Sequence, residues 1–183
     1  MTTLTNRPNS ALLVIDVQNG VVSNALGRDQ VVANINQMLD KARAADIPVI
    51  WVQHSEEEMP IGSDEWQIVS ELVPAAGEGR VEKLYRSSFV ETNLEQQLAD
   101  LGVSHLYLTG AETNNCMRHT MHTSLERGYD ITLVSDAHTT TGYTWNGHTV
   151  DAANVIAEQN DNLGHYDLPG QTARALPAAK IEF

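Results

Sequence analysis

The sequence predicts an α/β fold, a mainly parallel sheet with helices on both faces. Two observations carry that expectation. Short apolar runs alternate with segments of helical spacing along the whole chain. The first of these runs, Ala11-Leu-Leu-Val-Ile15, is apolar without a break, as a strand buried on both faces reads.

The elements follow in order. Ala11 to Ile15 is a strand that ends at Asp16. Val31 to Ala45 has helical spacing, with Ile35, Leu39 and Ala42 on one face. Ile47 to Val52 is the second strand, with Pro48 near its start, where a missing N–H is tolerated. His54 to Gly79 is acidic and broken by Pro60, Gly62, Pro74 and Gly77, with one short helix expected over Trp66 to Leu72. Arg80 to Leu84 reads as a third strand. Asn93 to Leu101 reads as a helix stopped by Gly102. His105 to Thr109 is a strand, and Cys116 to Arg127 a helix that stops at Gly128. Ile131 to Ser135 is a strand, Thr149 to Leu163 a helix, and Thr172 to Leu176 a weak last strand. Thr139 to Gly147 reads as a mobile cover. The 183 residues suit a single domain, residues 1–183, with a polar N-terminal extension over residues 1–10.

Composition narrows the function. With 11 basic and 24 acidic side chains the formal net charge is −13. Nucleic-acid and anionic-membrane partners need clustered Lys and Arg, so neither is expected. No apolar run approaches the ~18 residues that cross a bilayer, and the polar start does not read as a signal peptide. The single cysteine excludes an intramolecular disulfide and a four-cysteine zinc site. A free thiol suits a reducing compartment, so a cytoplasmic protein is expected.

In parallel α/β folds ligands sit beyond the carboxyl ends of the strands. There the sequence delivers Asp16, Lys83 and the segment Gly110-Ala-Glu-Thr-Asn-Asn-Cys116. A cysteine at a helix start, near a Lys ammonium, is expected to have a lowered pKa. Asp16 is a candidate to take the thiol proton and return it to a leaving group. Backbone N–H groups around Cys116 are candidates to hold an oxyanion. Taken singly, Asp16 also reads as a strand-end cap, Lys83 as a surface residue and Cys116 as a buried small hydrophobe.

Four stretches resemble the isochorismatase-like cysteine hydrolases, relatives of nicotinamidase, N-carbamoylsarcosine amidohydrolase and ureidoacrylate hydrolase. They are Leu13-Val-Ile-Asp-Val-Gln18, Lys83-Leu-Tyr-Arg-Ser-Ser-Phe89, Leu108 to Thr120, and Gly128 to His138. The resemblance implies a six-stranded three-layer α/β/α fold of Rossmann-like topology and a triad of Asp16, Lys83 and Cys116. It also implies a cis peptide at Ala111–Glu112 and an oxyanion hole from the N–H groups of Glu112 and Cys116. It further implies a homodimer or homotetramer with the site near a subunit interface. Nicotinamidases carry an Asp-x-His metal motif where this chain reads Gln53-His-Ser-Glu-Glu-Glu-Met-Pro60, so no metal and no cofactor are expected here.

The reading is a hydrolase that cleaves a small-molecule C–N bond through a thioester on Cys116. Alternatives are a vinyl-ether hydrolase of the same fold and a non-catalytic binding protein. Gln18, Trp51, His54, Phe89 and Trp145 are candidate substrate-binding residues. Glu56-Glu57-Glu58 reads as a solvated loop whose charge suits a cationic substrate. His119 and His122 are ordinary helix residues on this reading, and His138, His148 and His165 lack evident partners.

Overall fold

A computed structural model of the chain describes residues 2–166 and 168–183. Met1, the first residue of the expected polar extension, lies outside them. Six parallel strands form one sheet: β1 (Asn9–Ile15), β2 (Val49–His54), β3 (Gly79–Lys83), β4 (Val103–Ala111), β5 (Asp130–Thr139) and β8 (Ala173–Leu176). Their order is β3-β2-β1-β4-β5-β8. Connections leave β1 to one side toward β2 and return to its other side with β4. The crevice between β1 and β4 is thus the topological switch point, where such sheets bind ligands.

Side-chain alternation along the strands divides the core. Leu12, Val14 and Trp51 face one layer, with Val31, Val32, Ile35, Met38 and Leu39 of α2 (Arg28–Ala44). Leu13, Ile15, Ile50 and Val52 face the other. That layer holds Leu94 and Leu98 of α3 (Leu94–Asp100), Met121 and Leu125 of α4 (Arg118–Glu126), and Leu163 of α5 (Ala152–Gly164). The expectation of a parallel sheet between two helical layers holds.

Several local expectations change. Trp66 to Leu72 forms no helix. That segment is pinned as extended chain and turns, through a Gln18–Ile68 bridge and a Val69 N–H bond of 3.1 Å to the Val17 carbonyl. A short helix α1 (Asn19–Val22) follows β1, where none was expected. Residues 139–147 have regular structure: Thr139 ends β5, and β6 (Tyr143–Trp145) pairs with β7 (His148–Val150) as an exposed hairpin. Asn146 and Gly147 take positive φ of 48° and 78° at its turn, the signature of an Asn-Gly hairpin. The polar start is tied to the rest of the domain. Thr2 and Thr3 bond the Gly128 carbonyl, and Arg7 reaches Tyr129 and Glu95. No helix among the described residues is long and apolar enough to cross a membrane.

Candidate active site

Three strand ends meet at the switch point. Asp16 follows β1 with a positive φ of 51°, a left-handed conformation that Asp tolerates better than most residues and that recurs at functional sites. Lys83 closes β3 and reaches across β2. Its ammonium is 2.7 Å from Asp16 Oδ2, an ion pair, and 3.2 Å from Cys116 Sγ. The two charged side chains are 0% and 1% exposed. Asp16 Oδ1 is buried without a hydrogen-bond partner among the described residues.

Cys116 does not begin a regular helix. It lies in a π-turn, Thr113–Met117, in which Asn115 takes non-helical φ/ψ of −115° and −106°. The peptide between Ala111 and Glu112 is cis. The Glu112 carbonyl accepts the N–H groups of Asn115 at 3.0 Å and Met117 at 3.2 Å, those on either side of Cys116.

The thiol departs from the sequence expectation. Burial, then the negative charge of Asp16, push it up to about 12 against the opposing pull of Lys83. At neutral pH the resting group is a thiol, not a thiolate. A helix start and a lysine argue for a lowered value only while the carboxylate and the burial are left out.

A cavity of about 420 Å³ opens on this cluster. Asp16, His54, Glu112, Asn115 and Cys116 line its floor, with Glu56, Glu58, Met59, Glu65 and Arg86 around them. Among the described residues no three His, Cys, Asp or Glu side chains gather as metal ligands.

With the sheet and this constellation in view, comparison with known proteins is decisive. The family described as Isochorismatase domain matches residues 10–158. The chain belongs to the isochorismatase family. It is similar to a secreted isochorismatase effector of Verticillium dahliae, 32% identical over 139 residues, 70% of this chain and 72% of the relative. It also matches a streptothricin hydrolase of Streptomyces noursei, 33% identical over 140 residues, 73% of this chain but only 56% of that protein. The crystal structure of an isochorismatase from Pseudomonas putida superposes with a TM-score of 0.85 at 26% identity, covering 94% of this chain and 90% of that one. The chain is thus an isochorismatase-family hydrolase.

Within this family member, four of the five expected substrate contacts lie elsewhere. Trp51 is buried against α2, and its indole N–H donates to Glu78 Oε2 at 2.7 Å. Strand alternation sends it to the layer opposite the one on which Cys116 packs. Phe89 is core, 6.0 Å from the Tyr129 ring and under the Arg127 guanidinium. Trp145 stands 68% exposed on the hairpin, away from the cavity lining. Gln18 is fully buried and positions the site rather than lining it. Its side chain bonds the His54 N–H at 2.8 Å, the His54 carbonyl at 2.9 Å and the Trp66 carbonyl at 2.8 Å. Only His54 lines the cavity.

Other groups were not singled out. Glu65 and Arg86 line the cavity, and the Glu112 carboxylate accepts from Asn115 at 2.7 Å and Thr141 at 3.1 Å. Arg86 stands inside the matching stretch Lys83 to Phe89, which was a usable signal; Glu65 had none. His138 has partners after all. Its ring joins Thr113 Oγ1 at 2.9 Å to Asn160 Oδ1 at 3.0 Å, tying the π-turn to α5, and burial lowers its pKa. His119 bonds the Asn115 carbonyl at 2.9 Å, and His122 packs edge-on against Tyr166.

Proposed function

We propose that this isochorismatase-family hydrolase is a cysteine-dependent amidohydrolase that cleaves a small-molecule C–N bond through a thioester on Cys116. The observation that carries the reading is the buried Lys83 ammonium, held at once by Asp16 at 2.7 Å and Cys116 at 3.2 Å, with Asp16 and Cys116 both lining an open cavity.

Asp16 takes the Sγ proton as sulfur attacks the carbonyl carbon. Its Oδ1 is free to accept it. Lys83 stabilises the thiolate that forms. The carbonyl oxygen becomes an oxyanion held by the N–H groups of Glu112 and Cys116. Asp16 then returns the proton to the departing nitrogen, the C–N bond breaks, and an amine or ammonia leaves the thioester. Water, deprotonated by Asp16, attacks the thioester carbon, and sulfur leaves with the proton restored. The relative described as a streptothricin hydrolase supports hydrolysis as the reaction type. The working form is taken as a cytoplasmic homodimer or homotetramer.

The test is a screen of primary amides, carbamoyl amines, lactams and ureido acids with the native chain and Cys116→Ala. Loss of turnover in the variant is expected, with a burst of acyl-enzyme mass on Cys116 in the native chain. Equal turnover by both, or hydrolysis of a vinyl ether that survives Cys116→Ala and fails in Asp16→Ala, overturns the reading.

A further inference from the structure

Beyond the reacting groups, the cavity has a strongly one-sided electrostatic wall. Its lining carries the carboxylates of Glu56, Glu58, Glu65 and Glu112 besides Asp16, and a single guanidinium, Arg86. Asp16 is already balanced by Lys83. Among the described residues no Lys or Arg pairs with Glu56, Glu58, Glu65 or Glu112; Glu56 has only the His54 imidazole, 3.6 Å away. Elsewhere on the molecule acidic groups do find cations, as Glu71 finds Arg28 and Glu78 finds Arg43.

The wall is built rather than fluttering. Glu56 and Met59 exchange backbone bonds across a tight turn. The Glu65 carbonyl accepts the Gly20 N–H at 2.9 Å, and Gln18 holds the neighbouring Trp66 carbonyl. A Cβ on Gly20 would meet Glu65 Cβ at 3.0 Å and Met59 Sδ at 3.1 Å, so these segments are in close contact beside Asp16. Asp16, with a side chain 1% exposed, belongs to the same lining, and its Oδ1 has no hydrogen-bond partner among the described residues.

We infer that the cavity selects a small cationic substrate, one bearing an ammonium or guanidinium group, and that Glu58 and Glu65, with Glu56, recognise that charge. Glu56, Glu58 and Glu65 are exposed at the cavity's rim, and unbalanced carboxylates around a concave site focus the potential inside it. They raise the local concentration of cations and oppose carboxylates. The charge assignment stands on the cavity alone; that the substrate is an amide rests on the amidohydrolase reading above.

The chain has one thiol, so reagents of different charge report on the cavity directly. Cys116 is modified with cationic 2-(trimethylammonium)ethyl methanethiosulfonate and with anionic 2-sulfonatoethyl methanethiosulfonate, followed by mass. The ratio of the two rates cancels the thiolate fraction. Against the same ratio for 2-mercaptoethanol, the native chain is expected to favour the cation by about 10-fold or more at low salt. The preference should fall steeply at high ionic strength and in Glu58→Gln/Glu65→Gln, but not in Asp40→Asn, an exposed acid on α2. A ratio equal to that of the free thiol, or one unmoved by both salt and the double substitution, overturns the proposal. The salt series needs no variant, so a folding failure does not spoil the test.

In parallel, kcat/KM is compared for 4-aminobutanamide, butanamide and succinamate. The cationic amide should lead by about 10-fold. A lead for butanamide or succinamate over the cationic amide overturns the charge assignment; the thiol preference is read without turnover, so it stands or falls apart from the amidohydrolase reading.

Discussion

A Cβ placed on Gly110 would lie 1.9 Å from the carbonyl oxygen of Ile15. These two residues are register partners at the ends of the central strands β1 and β4. The next residue on one strand is Asp16; the other leads within a few residues to Glu112 and Cys116. Backbone contact at this point sets the spacing between Asp16 and Cys116. Gly110 also has a φ of 124°, open to glycine and strained for any other residue.

Gly110→Ala should therefore lower stability by ~3 kcal/mol, through strain and the forced separation of β1 from β4. Urea unfolding measures it. A midpoint within error of the native value would mean that the two strands can part without cost.

Lys83 is the only cation paired with the buried Asp16 carboxylate among the described residues. Breaking a buried pair leaves an unsolvated charge, which costs about 3–5 kcal/mol. Lys83→Met should show that loss in denaturant unfolding. Lys83→Met/Asp16→Asn should recover most of it, because no charge is left behind. A double variant no more stable than the single one would show that the pair is not the source.

The raised thiol gives a signed pH dependence. With Cys116 near 12 when folded and 9.0 when free, the folded chain holds one more proton between those values. Its contribution to stability is full below pH 9 and is lost as pH rises toward 12. Alkylation by iodoacetamide should be slower than for a free thiol at pH 8 and should still climb at pH 10. Asp16→Asn removes a charge that raises the value, so alkylation at pH 8 should speed up about 10-fold, one pKa unit, while turnover disappears. A native plateau near pH 8, or an Asp16→Asn chain that reacts more slowly, would contradict this electrostatic picture.

Trp51 and Phe89 are both buried in the core, so substitutions there should act on stability. Trp51→Phe removes the hydrogen bond to Glu78 and should cost about 1–2 kcal/mol. Phe89→Ala empties a core position and should cost ~3 kcal/mol. KM for any substrate found should stay within twofold of native for each folded variant. A KM change without a stability change would bring either ring back into the site.

Much of the fold was legible. Short, punctuated apolar runs such as Ala11 to Ile15 read as strands buried on both faces, and their alternation with helical spacing points to a parallel sheet. Weaker signals failed where tertiary contacts decide. Trp66 to Leu72 has a helical pattern, yet Gln18 and Val17 supply backbone partners that hold it extended. The hairpin of Tyr143 to Val150 is signalled locally only by its Asn146-Gly147 turn. Rings were the poorest guide to the site. Trp51 and Phe89 look like pocket walls in a list of residues, but strand alternation and a neighbouring Tyr129 put both in the core.

What the sequence determined by itself was the parallel α/β architecture, the resemblance to the isochorismatase family, and the identity of the polar residues that leave the strand ends. Period and punctuation are local properties, readable without coordinates. The tertiary structure alone decided how those residues act on one another. It put the Lys83 ammonium between Asp16 and Cys116, and it buried the thiol beside a carboxylate, which reversed the direction of its pKa. It also drew Glu58 and Glu65, distant from Cys116 along the chain, onto one cavity wall. Burial and charge proximity are sums over neighbours in space, and the chain order does not contain them.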